Sequence, residues 1–188
     1  MLISDIIKKI RYHLVADRIG PDMPFTHWRL HFRSTMLATC RKRFRGFDET
    51  SDFRPGAYAV GCSQIRIGAR VVVRPGCMFF GESDTMDETI VIEDDVMIGA
   101  GVHIYTNNHR FDRVDVPLVE QGYYPSAGVR LKRGCWIGAN SVLLPGVTVG
   151  ENSVIGAGSV VTRSVGDGMV AVGCPAREIR RIGPRDGV

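Results

Sequence analysis

The sequence predicts a mainly β protein: a parallel β-helix of six-residue repeats, with a short helical flank before it and one loop extruded from it. Three observations carry this expectation. An aliphatic residue recurs every six positions through Leu131, Ile137, Leu143, Val149, Ile155 and Val161. Four places after each stands a small or β-branched residue: Cys135, Ser141, Val147, Ser153, Ser159 and Val165. Glycine is abundant, with 22 in 188 residues, and gathers after about residue 55 among strongly aliphatic neighbours, which marks tight turns and not disorder. A period of six fits neither an α-helix nor a long alternating strand. It fits a coil with short straight sides and a corner every six residues, each aliphatic side chain pointing inward. Coils stacked about 4.8 Å apart pair their backbones in parallel, and the aliphatics become ladders along the axis.

Residues 1–50 form a helical, basic extension. Ile3, Ile6, Ile7, Ile10 and Leu14 are spaced by threes and fours along one helical face. Ser4 or Asp5 is placed to cap its start, and Gly20-Pro21 to end it. A second amphipathic stretch, Trp28 to Phe44, sets Leu30, Phe32, Met36 and Leu37 among arginines. Between Arg29 and Arg45 lie six basic residues and no acid. Two roles fit this extension: a flank packed on the main domain, or a basic surface turned to anionic lipid or another protein.

Residues 51–182 carry the repeat. Its register holds through Ile67, Val73 and Phe79, and again through Ile92, Ile98 and Ile104, with Val96, Val102 and Asn108 at the small position. From about 105 to 129 a polar tract with two prolines replaces it, and the pattern then resumes. An insertion in a solenoid maps to a loop on one side, and loops on rigid scaffolds often carry function. Residues 183–188 are a C-terminal tail.

Composition is that of an ordinary globular domain, 44% hydrophobic and 23% charged with a net charge of +4, and no nucleic-acid partner is expected. Cys40, Cys62, Cys77, Cys135 and Cys174 are odd in number and lack metal-ligand spacing; three fall at or near the small repeat positions, where cysteine acts as a small buried hydrophobe, and a structural role in a reducing cytoplasm is expected. No run approaches the roughly 20 apolar residues of a membrane span, and no signal-peptide core opens the chain.

Three motifs add to the repeats: HIYTNNH at 103–109, CWIGAN at 135–140 and GCPAR at 173–177. Over about residues 56–182 the chain resembles the hexapeptide-repeat acyltransferase family, in its branch of sugar O-acetyltransferases. The tract NHRFDRVDVPLVEQG is similar to members that modify surface polysaccharides. The resemblance implies a left-handed coil, against the usual right-handed rule for parallel crossovers. It also implies acetyl-CoA as donor, a saccharide acceptor and a homotrimer with active sites between neighbouring coils. Residue by residue, it gives His109 as the catalytic base and Trp136 as a wall of the active-site tunnel. Ala139 and Ala157 match places where the pantetheine arm lies, and Thr162, Arg177 and Arg180 match the adenosine and phosphate end. Asp87 and Asn107 match acceptor-binding positions.

The chemistry wants these residue types. Neutral imidazole titrates near physiological pH, so one histidine can take a hydroxyl proton and return it to a departing thiolate. Arginine's rigid fork suits phosphate oxygens. Asp112 is near enough in sequence to orient His109, though a solvated loop carboxylate is the plainer expectation. His103 is read as structural or substrate-facing.

Rival classes are a zinc-dependent carbonic anhydrase on the same fold and a non-catalytic scaffold. The first needs about three zinc ligands, and the repeat domain has only His103 and His109. The second leaves the loop histidine and terminal arginines without a purpose. Among transferases, an antibiotic or other small-molecule O-acetyltransferase is the alternative to one acting on a surface polysaccharide or its lipid-linked precursor. An enzyme of the second kind works in the cytoplasm, with peripheral contact at the inner membrane face through its N-terminus.

Overall fold

In the computed structural model, which describes residues 2–23, 25–85 and 87–183 (with no placement for the Leu14 side chain), three parallel sheets form the sides of a coil. The first sheet stacks Tyr58–Val60, Met78–Phe80, His103–Tyr105, Val142–Leu143 and Val160–Val161. The second stacks Gly46–Phe47, Ile65–Ile67, Ile90–Ile92, Val129–Leu131 and Thr148–Val149. The third stacks Asp52–Phe53, Val72–Val73, Met97–Ile98, Trp136–Ile137, Val154–Ile155 and Met169–Gly173. Consecutive strands visit the three sheets in turn, so one circuit of uninterrupted repeats takes eighteen residues: Leu131 pairs with Val149, Ile137 with Ile155 and Leu143 with Val161.

The six-residue ladder is the core. Leu131, Ile137, Leu143, Val149, Ile155 and Val161 are fully buried, as are Ile98 and Ile104 above them. The small position is buried as well, and its hydroxyls are satisfied locally. Ser141 donates to the Gly138 carbonyl (2.8 Å), Ser153 to that of Gly150 (2.6 Å) and Ser159 to that of Gly156 (2.6 Å). A buried hydroxyl without a partner costs free energy, so serine is tolerated here because each corner supplies a carbonyl three residues back. Cys62, Cys77 and Cys135 occupy the same kind of site, and burial pushes the Cys62 and Cys135 thiols up to about 12. Cys40 is also buried, whereas Cys174 is exposed.

The structure departs from the sequence expectations at both ends. Strand structure begins inside the segment read as helical: Arg18–Ile19 pairs antiparallel with Tyr58–Val60 at the edge of the first sheet, and the coil itself starts at Gly46–Phe47, with Phe47, Phe53 and Ala59 in its first circuit. Aromatic and alanine side chains at those positions hid the aliphatic repeat. At the other end the parallel rule lapses: Ala176–Arg181 folds back antiparallel on Met169–Gly173 and edges the third sheet. Most of the 183–188 tail lies outside the described residues.

The N-terminal helices also differ from expectation. α1 (Leu2–Val15) stops five residues before Gly20, and it starts ahead of Ser4 and Asp5, so these lie in its first turn and do not cap it. The Trp28–Phe44 stretch is not one helix: α2 (Thr26–His31) and α3 (Arg33–Arg43) meet at Phe32, which is extended (φ −100°, ψ 132°). That break lets Leu30, Met36 and Cys40 reach the core together with Phe44, which packs against Phe47 and Phe53 over the open end of the coil. α1 is tied in at its C-terminal end, where Arg43 donates to the carbonyls of Ala16 (2.5 Å) and His13 (3.2 Å). Its isoleucine face does not pack: Ile3, Ile6, Ile7 and Ile10 are all exposed. No described helix is long and apolar enough to cross a membrane.

Candidate active site

Two excursions leave the coil at the same corner, where the chain passes from the first sheet to the second. The shorter, described at residues 82–85 and 87–88, lies between Met78–Phe80 and Ile90–Ile92. The longer, residues 107–128, joins His103–Tyr105 to Val129–Leu131 one coil later. Their root strands are hydrogen-bonded neighbours, so the two excursions face each other across a cleft of about 760 Å³. Phe80, Glu82, Asp84, Asn107, Arg110 and Tyr123 are among its lining residues.

Local bonding sets each wall. Gln64 clamps the short excursion, donating to the Ser83 carbonyl (2.6 Å) and accepting from the Ser83 amide (2.8 Å). Asn107 donates toward the Glu82 carbonyl at 3.5 Å, which links the two excursions. Beneath them, Phe80 and Tyr105 stack in parallel with centroids 4.9 Å apart, and the Tyr105 hydroxyl lies 3.2 Å from Nδ1 of His103. His103 is therefore part of this sheet-borne floor, half-buried and partnered.

The long excursion folds back on itself at His109. His109 and Tyr123 form an antiparallel bridge, flanked by Arg110 donating to the Gly122 carbonyl and Tyr124 to that of Asn108, both at 2.9 Å. The imidazole lies against the Tyr123 ring, with centroids 4.2 Å apart and planes 30° from parallel. His109 is exposed and does not itself line the cleft; it stands at the lip by its contact with the lining residue Tyr123, and neither ring nitrogen has a hydrogen-bond partner among the described residues. Asp112 does not orient it. That carboxylate accepts from the Tyr124 hydroxyl and from Arg110 Nε (3.0 Å), which together hold it below the usual aspartate range, Tyr124 having the larger influence. The same bond pushes the Tyr124 hydroxyl up.

Of the acceptor positions drawn from the sequence, Asn107 lines the cleft but Asp87 does not. Asp87 is exposed, and its backbone carbonyl accepts from Arg45 (3.1 Å). The carboxylates in the cleft are Glu82 and Asp84, at the start of the short excursion. Asn108 is exposed as well, and the last inward side chain before the long excursion is Thr106. Sequence reasoning also missed Arg110, Tyr123 and Tyr124 as lining residues; the signal was there in an aromatic pair followed by proline inside the inserted tract.

The remaining predicted residues lie elsewhere on the coil. Trp136 projects from the third sheet, 48% exposed, between Met97 and Val154 on the adjacent strands. Ala139 and Ala157 stack at the corner between the third and first sheets, where Gly158 donates to the Ala139 carbonyl (2.8 Å). Thr162 is exposed just past Val160–Val161, at the corner from which the excursions leave. Arg177 and Arg180 are exposed on the antiparallel edge strand. Their guanidinium groups bond only backbone carbonyls, and no carboxylate partners either among the described residues. Within one chain, then, Trp136, Arg177 and Arg180 belong to a different side of the coil from the cleft and His109. Among the described residues no group of three or more His, Cys, Asp or Glu is placed to hold a metal ion.

Comparison with known proteins gives a consistent picture. Residues 128–163 match the bacterial transferase hexapeptide model, described as six repeats. The chain is 34% identical over 146 residues to galactoside O-acetyltransferase of Escherichia coli K12, covering 78% of this chain and 68% of the relative. It thus spans about two thirds of that relative's length. Among solved structures, a hexapeptide-repeat acetyltransferase from Vibrio cholerae complexed with acetyl coenzyme A is similar with a TM-score of 0.70 and 26% identity, over 81% of this chain and 79% of that one. A galactoside acetyltransferase in complex with coenzyme A gives 0.67 and 31%, over 80% and 71%.

Proposed function

The chain belongs to the hexapeptide-repeat family of acetyl-CoA-dependent acetyltransferases, and on that premise we propose that it acetylates a saccharide hydroxyl with His109 as general base. The observation that carries this reading is a histidine whose ring nitrogens have no partner among the described residues, packed on Tyr123 at the lip of a polar, aromatic-walled cleft. Saccharides are recognised by such walls: ring faces meet C–H surfaces, while carboxylates and amides take the hydroxyls. Glu82, Asp84 and Asn107 supply the polar groups, and Phe80 and Tyr123 the apolar ones.

In this mechanism the imidazole of His109 removes the acceptor hydroxyl proton as that oxygen attacks the thioester carbonyl. When the carbon–sulfur bond breaks, the same imidazole returns the proton to the leaving thiolate, so no acyl-enzyme is formed. The donor fits the other residues. Arg177 and Arg180 have no carboxylate partner among the described residues and suit phosphates. Ala139 and Ala157, with their small side chains stacked at one corner of the coil, suit the pantetheine arm. Because this surface and the cleft lie on different sides of the coil, the reading requires a left-handed homotrimer in which a neighbour's third sheet faces the His109 lip. We assign the acceptor to a bacterial surface polysaccharide or its precursor, the alternative being an antibiotic or other small molecule.

Thermal unfolding with and without acetyl-CoA tests the donor half. At 100 times its Kd a ligand adds about 2.7 kcal/mol to native stability. A clear stabilisation that shrinks in Arg177→Ala/Arg180→Ala is expected, and none at millimolar acetyl-CoA would overturn the reading. His109→Ala should keep that stabilisation and lose roughly 10²–10⁴-fold in transfer to the acceptor.

A further inference from the structure

Among the described residues, nothing covers the apolar face of α1. Leu2, Ile3, Ile6, Ile7 and Ile10 are all about half or more exposed, and the Phe25 and Trp28 side chains, from the start of α2, are exposed as well. Solvent-facing isoleucines at helical spacing carry a hydrophobic cost unless a partner covers them. Beside them, α1 and the other two helices enclose a second cleft of about 460 Å³, with Ile10, Met23 and Phe25 on its wall and Arg29, Lys42 and Arg43 among them.

Charge identifies the partner. Residues 1–45 hold ten lysines and arginines against three acids, whereas the rest of the chain holds fourteen against seventeen. Of the three acids, Asp22 is bonded to Arg18 and lies near Lys9, and Asp17 is bonded to Ser63, which leaves Asp5. Lys8, Arg11, Arg29 and Lys42 have no carboxylate partner among the described residues. An apolar helical face flanked by unneutralised cations is the combination that lies in the headgroup boundary of a negatively charged bilayer. A second copy of the chain would bring the same positive charge against itself.

We propose that the face formed by α1, Phe25 and Trp28 docks on an anionic phospholipid bilayer, with the isoleucines entering the acyl boundary and the cations meeting headgroup phosphates. The contacts that hold α1 run through Lys9, Tyr12 and the carbonyls of His13 and Ala16, not through its isoleucines, which leaves this face open to do so. Docking is separate from the acetyl-transfer site, which lies at the excursion corner of later coils.

Vesicle co-sedimentation of the full chain tests it, with phosphatidylcholine alone and with phosphatidylglycerol added. Each cation near such a surface is worth roughly fivefold in partitioning, by way of about 1 kcal/mol per charge. The wild type should sediment with the phosphatidylglycerol vesicles and release as salt rises. Lys8→Glu/Arg11→Glu and Ile3→Ser/Ile7→Ser should each bind at least ~10-fold less, with the acetyl-CoA-induced thermal shift unchanged as evidence of an intact fold. Binding no stronger to anionic than to neutral vesicles would overturn the proposal, as would variants that bind like the wild type. So would an α1-dependent self-association in light scattering without vesicle binding, which would make a second copy the occupant.

Discussion

The coil stack and α1 both carry isoleucines at regular spacing, yet one buries them completely and the other leaves them in solvent. Ile137 is 0% exposed and Ile7 is 48% exposed. The difference lies in what each period is matched to. In the stack, the six-residue period delivers every aliphatic to a neighbour eighteen residues away in a paired strand, so each coil covers the next. In α1 the period defines a face but supplies no partner for it. Periodicity predicts which residues share a side; burial requires a second surface.

Paired substitutions measure that contrast directly. Ile137→Ala should cost about 2–5 kcal/mol, because the lost methylene groups leave a void between rigid coils. Ile7→Ala, which removes the same atoms from an exposed face, should stay within about 0.5 kcal/mol. Urea unfolding followed by circular dichroism reads both. A loss at Ile7 comparable to that at Ile137 would mean α1 is covered within the folded protein in solution.

A smaller effect distinguishes the corners of the stack from its sides. Gly99 follows Ile98 at the corner above Ala139, and a Cβ there would stand 2.6 Å from the Ala139 amide nitrogen and 2.9 Å from its Cα. Backbone in a paired neighbour cannot swing aside, so Gly99→Ala should cost about 1–3 kcal/mol by overpacking. Gly122, in the long excursion, would meet nothing within 4 Å, and its constraint is only its left-handed backbone (φ 74°). An unperturbed unfolding midpoint for Gly99→Ala would show that the coils slide apart more easily than their hydrogen bonding implies.

The legibility of the fold follows the same division. Leu131 to Val161 announced themselves because each fills an equivalent slot, and the corner serines could be counted off four places later. Phe47, Phe53 and Ala59 fill the same slots in the first coil, but aromatic and alanine side chains are not an aliphatic ladder, so the register does not read back past Ile67 and Phe47 falls in the segment read as helical. In the site, the histidine at the break was visible from sequence, since a break in a repeat marks an excursion. Which carboxylates line the cleft was not. The pairing of residues 82–88 with 107–128 depends on two excursions leaving the same corner of successive coils, and spacing within either one does not reveal it. Asp87 and Asp84 are three residues apart; Asp84 lines the cleft next to Ser83, which Gln64 clamps, while Asp87 is held toward Arg45.

The smallest expected effect lies inside the long excursion, where order rests on a few exposed polar bonds and not on a ladder. Asp112 is held below the ordinary aspartate range first by the Tyr124 hydroxyl and then by Arg110. A depressed folded value means the interaction contributes fully above the unfolded aspartate range and is lost as pH falls through the folded value. Tyr124→Phe removes the larger influence, so the Asp112 carboxyl should titrate at higher pH than in the wild type while the global unfolding midpoint stays where it was. Carboxyl NMR titration of the two proteins reads the first, and denaturant melts read the second. If the midpoint fell together with the titration shift, the excursion and the coil would unfold as one cooperative unit, and the division between ladder and loop would be energetic in neither part.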